Sequence, residues 1–153
     1  MAAVKKREKS KTPPPSPQLT RYRLPTKTDP VDRQLLIRTV KTGLPIATFE
    51  QLQADIGVSA HTIAAVTHLA PRTLTRRKKE GRFHVDESER VLRLGLLFTK
   101  AREVLRGREN ARVWFTSPKR ALGGKTPLEY ADTELGAREV EDLLGRLEHG
   151  VFS

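Results

Sequence analysis

The chain of 153 residues contains no cysteine, which excludes a disulfide framework, a thiolate nucleophile and a cysteine-based zinc site. Its four histidines, His61, His68, His84 and His149, stand at no metal-ligand spacing, so neither a metal nor another cofactor is expected. No apolar run approaches the roughly 20 residues of a membrane span, and the N-terminus lacks a signal-peptide hydrophobic stretch. A soluble, cytoplasmic protein is therefore expected. Strand-like alternation never persists beyond a few residues, which points to an all-α fold. Catalytic groupings are missing too: there is no Ser/His/Asp order and no paired-acid pocket, so an enzyme is not expected. Gly123-Gly124-Lys125 has neither the Walker spacing nor a preceding strand, and reads as a tight turn.

Acidic residues are scarce in one half only. Residues 1–82 hold 17 Lys/Arg against 6 Asp/Glu, a net +11, whereas residues 83–153 hold 12 of each. A field of one sign over half a chain suits a polyanion, because neutralised phosphates release their counterions. The neutral half needs another purpose.

The basic charge concentrates in Ser59–Gly81, which reads as two short helices joined by a turn. Ser59 caps the first, and Ile63 and Val66 share one face of it. His68-Leu69-Ala70 breaks it. Pro71 suits the first position of a second helix, where its missing N–H has no partner, and Gly81 supplies the left-handed residue that ends it. Leu74 should face Ile63 and Val66, leaving Arg72, Thr73, Thr75, Arg76, Arg77, Lys78 and Lys79 outside as DNA-binding candidates. A charged helix is often only a solvated face, but a solvated face more often mixes acids at i,i+4. The pattern is a helix-turn-helix whose second helix reads DNA.

In chain order, residues 1–28 form a basic, proline-rich leader with too few hydrophobes to fold alone. Both a solubilising leader and an arm adding phosphate contacts remain open. Residues 29–82 are expected to form the DNA-binding domain. Asp29-Pro30 opens a helix that Gly43 closes, and Thr48 with Gln51 reads as a capping box. The predicted core there is Leu35, Val40, Phe49, Leu52, Ile56, Ile63, Val66 and Leu74. Residues 83–153 are expected to form a second helical domain. Asp86 with Glu89 reads as the cap of the longest helix, running to about Arg106, with Val91, Leu94, Phe98, Ala101 and Leu105 on one face and Leu92, Leu96, Leu97 and Val104 widening it. That helix is either the core of a monomer or packs on its own chain on one side and on a second copy on the other, as a reader of a two-fold site would. On the second reading the five residues first named form the dimer contact. A short helix around Ala111, Trp114 and Phe115 follows, with Trp114 as core. A third capping box at Thr126-Pro127-Leu128-Glu129 comes next, and a last helix from Gly136 to Leu147 ends before Gly150.

Three motifs in this order carry a family resemblance: Arg-Arg-x-x-x-Gly (76–81) with Glu-Ser-Glu-Arg (87–90), Ala-Leu-Gly-Gly-x-Thr-Pro-Leu (121–128), and Gly-x-x-x-Val-x-x-Leu-Leu (136–144) ending in Gly-Val-Phe-Ser (150–153). The chain from about Pro30 to Ser153 resembles the Xre/MbcA/ParS antitoxins, specifically the Xre partners of RES-domain toxins of type II toxin–antitoxin systems. Lys119-Arg120 depart from that family's Asn-Pro-like turn. The resemblance implies an Xre-like helix-turn-helix domain that represses its own operon by binding operator DNA at Arg72 to Lys79. It also implies a C-terminal part that binds a cognate RES toxin, an NAD-consuming protein, with Glu148, His149, Gly150, Val151, Phe152 and Ser153 plugging the toxin's active-site entrance. The alternative on the residues alone is a stand-alone helix-turn-helix regulator whose second half only dimerises or senses a ligand.

Overall fold

Pro30 opens the first of eight α-helices that the computed structural model describes among residues 30–150: α1 (Pro30–Thr42), α2 (Ile46–Ile56), α3 (Ala60–Val66), α4 (Pro71–Glu80), α5 (Val85–Val104), α6 (Arg108–Phe115), α7 (Pro127–Tyr130) and α8 (Glu134–Glu148). The leader 1–28, the Asp29 cap, the side chains of Val31 and Asp32, and Val151, Phe152 and Ser153 lie outside the described residues. The described residues are all-α; their only β feature is an isolated bridge between Pro45 and Arg82. No described helix is long and apolar enough to cross a membrane.

Gly43 ends α1 with φ 89°, and a Cβ there would collide with the carbonyl oxygen of Phe83. That close approach lets the α1–α2 connection strap the α4–α5 connection. The Phe83 N–H donates to the Leu44 carbonyl (2.9 Å) and the Ile46 N–H to the Gly81 carbonyl (3.1 Å), while the Leu44 N–H donates to Ser88 Oγ (2.9 Å). The strap corrects the expected start of α2. With Pro45 held extended as its N-cap, the helix begins at Ile46 and not at Thr48. Thr48 is thus inside the first turn, its Oγ1 buried without a hydrogen-bond partner among the described residues, and the Thr48 capping box does not form.

α5 also begins earlier than its sequence pattern suggested. His84 is its N-cap, and the carboxylate that reaches back is Glu87, accepting the His84 N–H at 2.8 Å. The third box forms as expected: Thr126 Oγ1 accepts from the Glu129 N–H (3.1 Å) while Glu129 accepts from the Thr126 N–H (2.9 Å). α8 starts two residues before Gly136, capped by Thr133 Oγ1 on the Gly136 N–H (3.0 Å).

One continuous core joins both halves of the chain, with Phe49, Ile56, Ile63, Phe98, Phe115, Val140 and Leu144 at its centre. α5 is its axis, packing against α1, α2, α6 and α8. Two expected core residues lie elsewhere. Leu35 is 52% exposed, because α1 turns Val40 inward. Trp114 is only half-buried at the core's edge, with Lys119 Nζ 5.3 Å from its ring centroid. Phe115 takes the central place, edge-on to Phe98 at 5.5 Å. α6 is tied to the end of α2 by Arg112, whose Nε–H donates to the Asp55 carbonyl at 2.7 Å, a cation on free helix-terminal carbonyls.

Candidate nucleic-acid interface

The Ser59 hydroxyl accepts from the Thr62 N–H at 3.2 Å and starts α3. The turn after α3 depends on His68, whose φ of 54° is left-handed. Arg90 of α5 donates its Nε–H to the carbonyl of Thr67 at 2.7 Å, so the turn is fastened to the core from behind. Pro71 then occupies the first turn of α4, and Gly81 ends it with φ 82°.

On α4, Leu74 is buried and Arg72, Thr75, Arg76, Lys78 and Lys79 are exposed, with Thr73 half-buried. At 100° per residue Arg72, Thr75, Arg76 and Lys79 share the outward face, with Lys78 at its rim. None of the four cations makes an ion pair among the described residues. A convex helix face carrying unpaired guanidinium and ammonium groups beside a hydroxyl can meet phosphates and base edges.

Arg77 is the correction. It was expected outside, yet it is buried on the same side as Leu74. Its Nε–H donates to Glu87 Oε2 (2.7 Å) and its Nη2 to Glu87 Oε1 (2.9 Å), a two-point pairing. Nη1 donates to Glu80 Oε2 at 3.1 Å and to its Oε1 at 3.4 Å, and Nη2 lies 3.1 Å from His84 Nδ1. The hydrogen bond to Glu87 strengthens the hold of Arg77 on its proton against the opposing effect of burial. Burial alone would raise the Glu87 carboxyl, but the hydrogen bond from Arg77, the His84 N–H and the neighbouring positive charge outweigh it and hold the group below its ordinary value. Arg77 therefore has no donor left for DNA. The missed partner had one visible signal, a glutamate at the third position of the next helix.

The expected dimer contact is corrected as well. Val91, Leu94, Phe98 and Ala101 are buried inside the chain's own core, and Leu105 is half-buried at the end of α5. A second copy cannot cover the first four without opening the fold. The opposite face of α5 is different: between α1 and α8 it floors a groove lined by Leu36, Ile37, Leu92, Leu96 and Val104. Arg93 borders the same groove, with a buried Nε that has no hydrogen-bond partner among the described residues.

α8 carries the chain away from α4. Its leading loop lies beside the helix-turn-helix, since His68 Nε2 is 2.8 Å from the Asp132 carbonyl, while further along Lys100 of α5 reaches the Glu141 carboxylate at 3.6 Å. The two helices thus run side by side in the same sense, and Glu148, His149 and Gly150, all exposed, stand at the far end of α5 from the basic face. Val151, Phe152 and Ser153 lie outside the described residues. Among the described residues no group of His, Cys, Asp or Glu could hold a metal ion.

Residues 35–95 match the family described as the antitoxin Xre-like helix-turn-helix domain, and residues 100–150 the antitoxin Xre/MbcA/ParS C-terminal toxin-binding domain. The chain is 36% identical to Antitoxin Xre of Yersinia enterocolitica, over 78% of this chain and 82% of that one. It is 34% identical to Antitoxin Xre of Photorhabdus laumondii, over 72% and 76% respectively. The two domain matches meet within α5, the helix that joins the basic face of α4 to the C-terminal surface. Since both its halves and most of its length align with these proteins, the chain belongs to the Xre family of antitoxins.

Proposed function

We propose that this cytoplasmic antitoxin neutralises a cognate RES-domain, NAD-consuming toxin by direct binding and represses its own operon through α4, acting as a homodimer. Residues 29–82 serve DNA, and residues 83–153 serve the toxin. In the toxin complex the segment Glu148 to Ser153 occludes the active-site entrance, with Phe152 as the apolar anchor. Operator contacts come from Arg72, Thr73, Thr75, Arg76, Lys78 and Lys79.

One observation carries the reading: the unpaired basic face of α4 and the exposed end of α8 lie at opposite ends of α5, so a nucleic acid and a protein can be held by one chain without competing for the same surface. The RES class rests on the resemblance of the Ala-Leu-Gly-Gly and Gly-Val-Phe-Ser motifs. The homodimer is supported by the apolar groove along α5.

Deletion of Val151 to Ser153 tests the assignment of ends. The shortened protein is expected to bind DNA from upstream of its own reading frame as the full chain does. It is also expected to fail, wholly or partly, to rescue cells expressing the RES-type protein encoded beside it. Full rescue would move neutralisation to the α8 surface, and absence of any copurifying RES partner would favour a stand-alone regulator.

A further inference from the structure

We propose that Arg77 is a positioning residue for operator reading: its pairing with Glu87 sets the angle of α4 on the start of α5, and so sets where Arg72, Arg76 and Lys79 arrive on DNA. The inference rests on α4 being the reader.

Two observations point this way. The first is position. Leu74 and Arg77, three residues apart, share the inward face of α4, so an apolar side chain would serve burial alone at least as well. A buried ion pair is weak grounds for stability, because desolvating two charges offsets most of their attraction, and well-packed apolar replacements are often as stable. The second is geometry. The planar guanidinium meets Glu87 in two parallel hydrogen bonds of 2.7 and 2.9 Å, which restrict direction as apolar packing does not. The side chains of both partners are nearly inaccessible, at 6% and 7%.

What the pair connects matters as much as its form. Glu87 Oε2 also accepts the His84 N–H at the start of α5, and Glu80 at the end of α4 takes Nη1. One guanidinium thus ties the last turn of the reading helix to the first turn of the axis helix, across the bend at Gly81 whose φ of 82° the side chain must hold in place. The strap at Leu44 and Phe83 holds the backbone of this bend but touches no residue of α4 before its end. A helix that swings by a few degrees about such a bend still offers its cations to phosphates, while its base contacts lose register. Arg77 should therefore matter for specific binding and be silent in non-specific binding.

The test is the double replacement Arg77→Met/Glu87→Met in the full chain, compared with Lys79→Ala and with Arg72→Ala/Arg76→Ala. The double methionine variant is expected to keep the wild-type circular dichroism, with an unfolding midpoint lowered only by the lost Glu87 cap on the His84 N–H, yet to lose tenfold or more in affinity for a duplex carrying its own upstream region. Its affinity for a scrambled duplex and the slope of log K against log salt should not change. Lys79→Ala should make that slope shallower by about one. A folded double variant that binds its operator as tightly as wild type overturns the proposal, and so does a slope reduced as in Lys79→Ala, which would make Arg77 a phosphate contact. If Arg72→Ala/Arg76→Ala also binds normally, the failure lies with α4 as reader. Should the double variant unfold, the wild-type protein decides the matter by NMR. The Arg77 Nε–H signal is expected to keep its position and protection when operator duplex is added, and its shift or loss on binding overturns the proposal.

Discussion

His68 donates its Nε2–H to the backbone carbonyl of Asp132 at 2.8 Å, joining the turn of the helix-turn-helix to the loop that leads into α8. The residue is also left-handed, with φ 54°, a conformation that costs any residue with a Cβ about 1–2 kcal/mol and crowds a β-branched one further. His68→Val should thus lose about 0.5–1.5 kcal/mol for the hydrogen bond and, beyond it, the added crowding of the branched side chain. His68→Gly loses the bond but regains backbone ease, so the two should differ clearly in urea unfolding. Equal midpoints would show that the turn relaxes to another conformation.

Local chemistry was legible in the sequence wherever partners lie within one turn. Ser59, Pro71, Gly81 and the Thr126–Glu129 box act where their spacing placed them, because a cap needs only its own helix. Arg77 was not legible. The helical period sets an arginine three residues after Leu74 on the same side of α4, but whether it stays inward depends on a carboxylate ten residues on, which that period does not report. Thr48 misled for a related reason: its pattern was sound, but a strap to Phe83 and Gly81 set the start of α2 earlier. The apolar stripe of α5 was visible, yet which side the chain would cover itself is decided by α6 and α8, elements whose packing direction the stripe does not encode.

Two glycines of α8 should respond to alanine with opposite signs. Alanine normally stabilises a helix interior by about 0.5–1 kcal/mol relative to glycine. At Gly145 nothing lies within 4 Å of the added Cβ, so Gly145→Ala should gain about that much. At Gly136 the Cβ would run into the carbonyl oxygen of Tyr130, and Gly136→Ala should instead lose on the order of 2–3 kcal/mol. Thermal unfolding of the pair reads this directly, and a stabilised Gly136→Ala would mean that the α7–α8 loop yields.

Acid should weaken the fold through two capping carboxylates. The Thr126 N–H and hydroxyl hold Glu129 below its ordinary value. Glu87, though raised by burial, is lowered further by Arg77 and the His84 N–H. A carboxyl depressed in the folded state contributes its full stability above its unfolded pKa, near 4.5, and loses it as pH falls through the lower folded value. Stability measured by urea unfolding should therefore hold steady from neutral pH down to about 5 as far as these two groups are concerned, then decline. Glu129→Gln should start lower at neutral pH and fall less steeply in acid. A decline as steep as wild type in that variant would place the acid sensitivity elsewhere.

The proposed homodimer leads to a prediction that separates the two faces of α5. Val85, Glu89, Leu92, Leu96, Thr99 and Glu103 line the groove at alternating steps of four and three, the 3.5-residue repeat that lets a helix pack along a second helix. Ile37 on α1 adds to the same face and is 48% exposed, while Arg93 brings a buried Nε with no partner among the described residues. Apolar surface of this extent, bordered by charge, is what a second copy would cover. Leu96→Glu, alone or with Ile37→Glu, should give a folded monomer, since neither side chain belongs to the buried core. Leu94→Glu should behave otherwise: at 2% exposure an unpaired carboxylate there has no solvent to reach, and the fold itself should fail. Light scattering and circular dichroism on the wild type and these variants distinguish the outcomes. If wild type is a monomer at micromolar concentration, the groove does not serve a second copy; if Leu96→Glu remains a dimer, the contact lies on another surface.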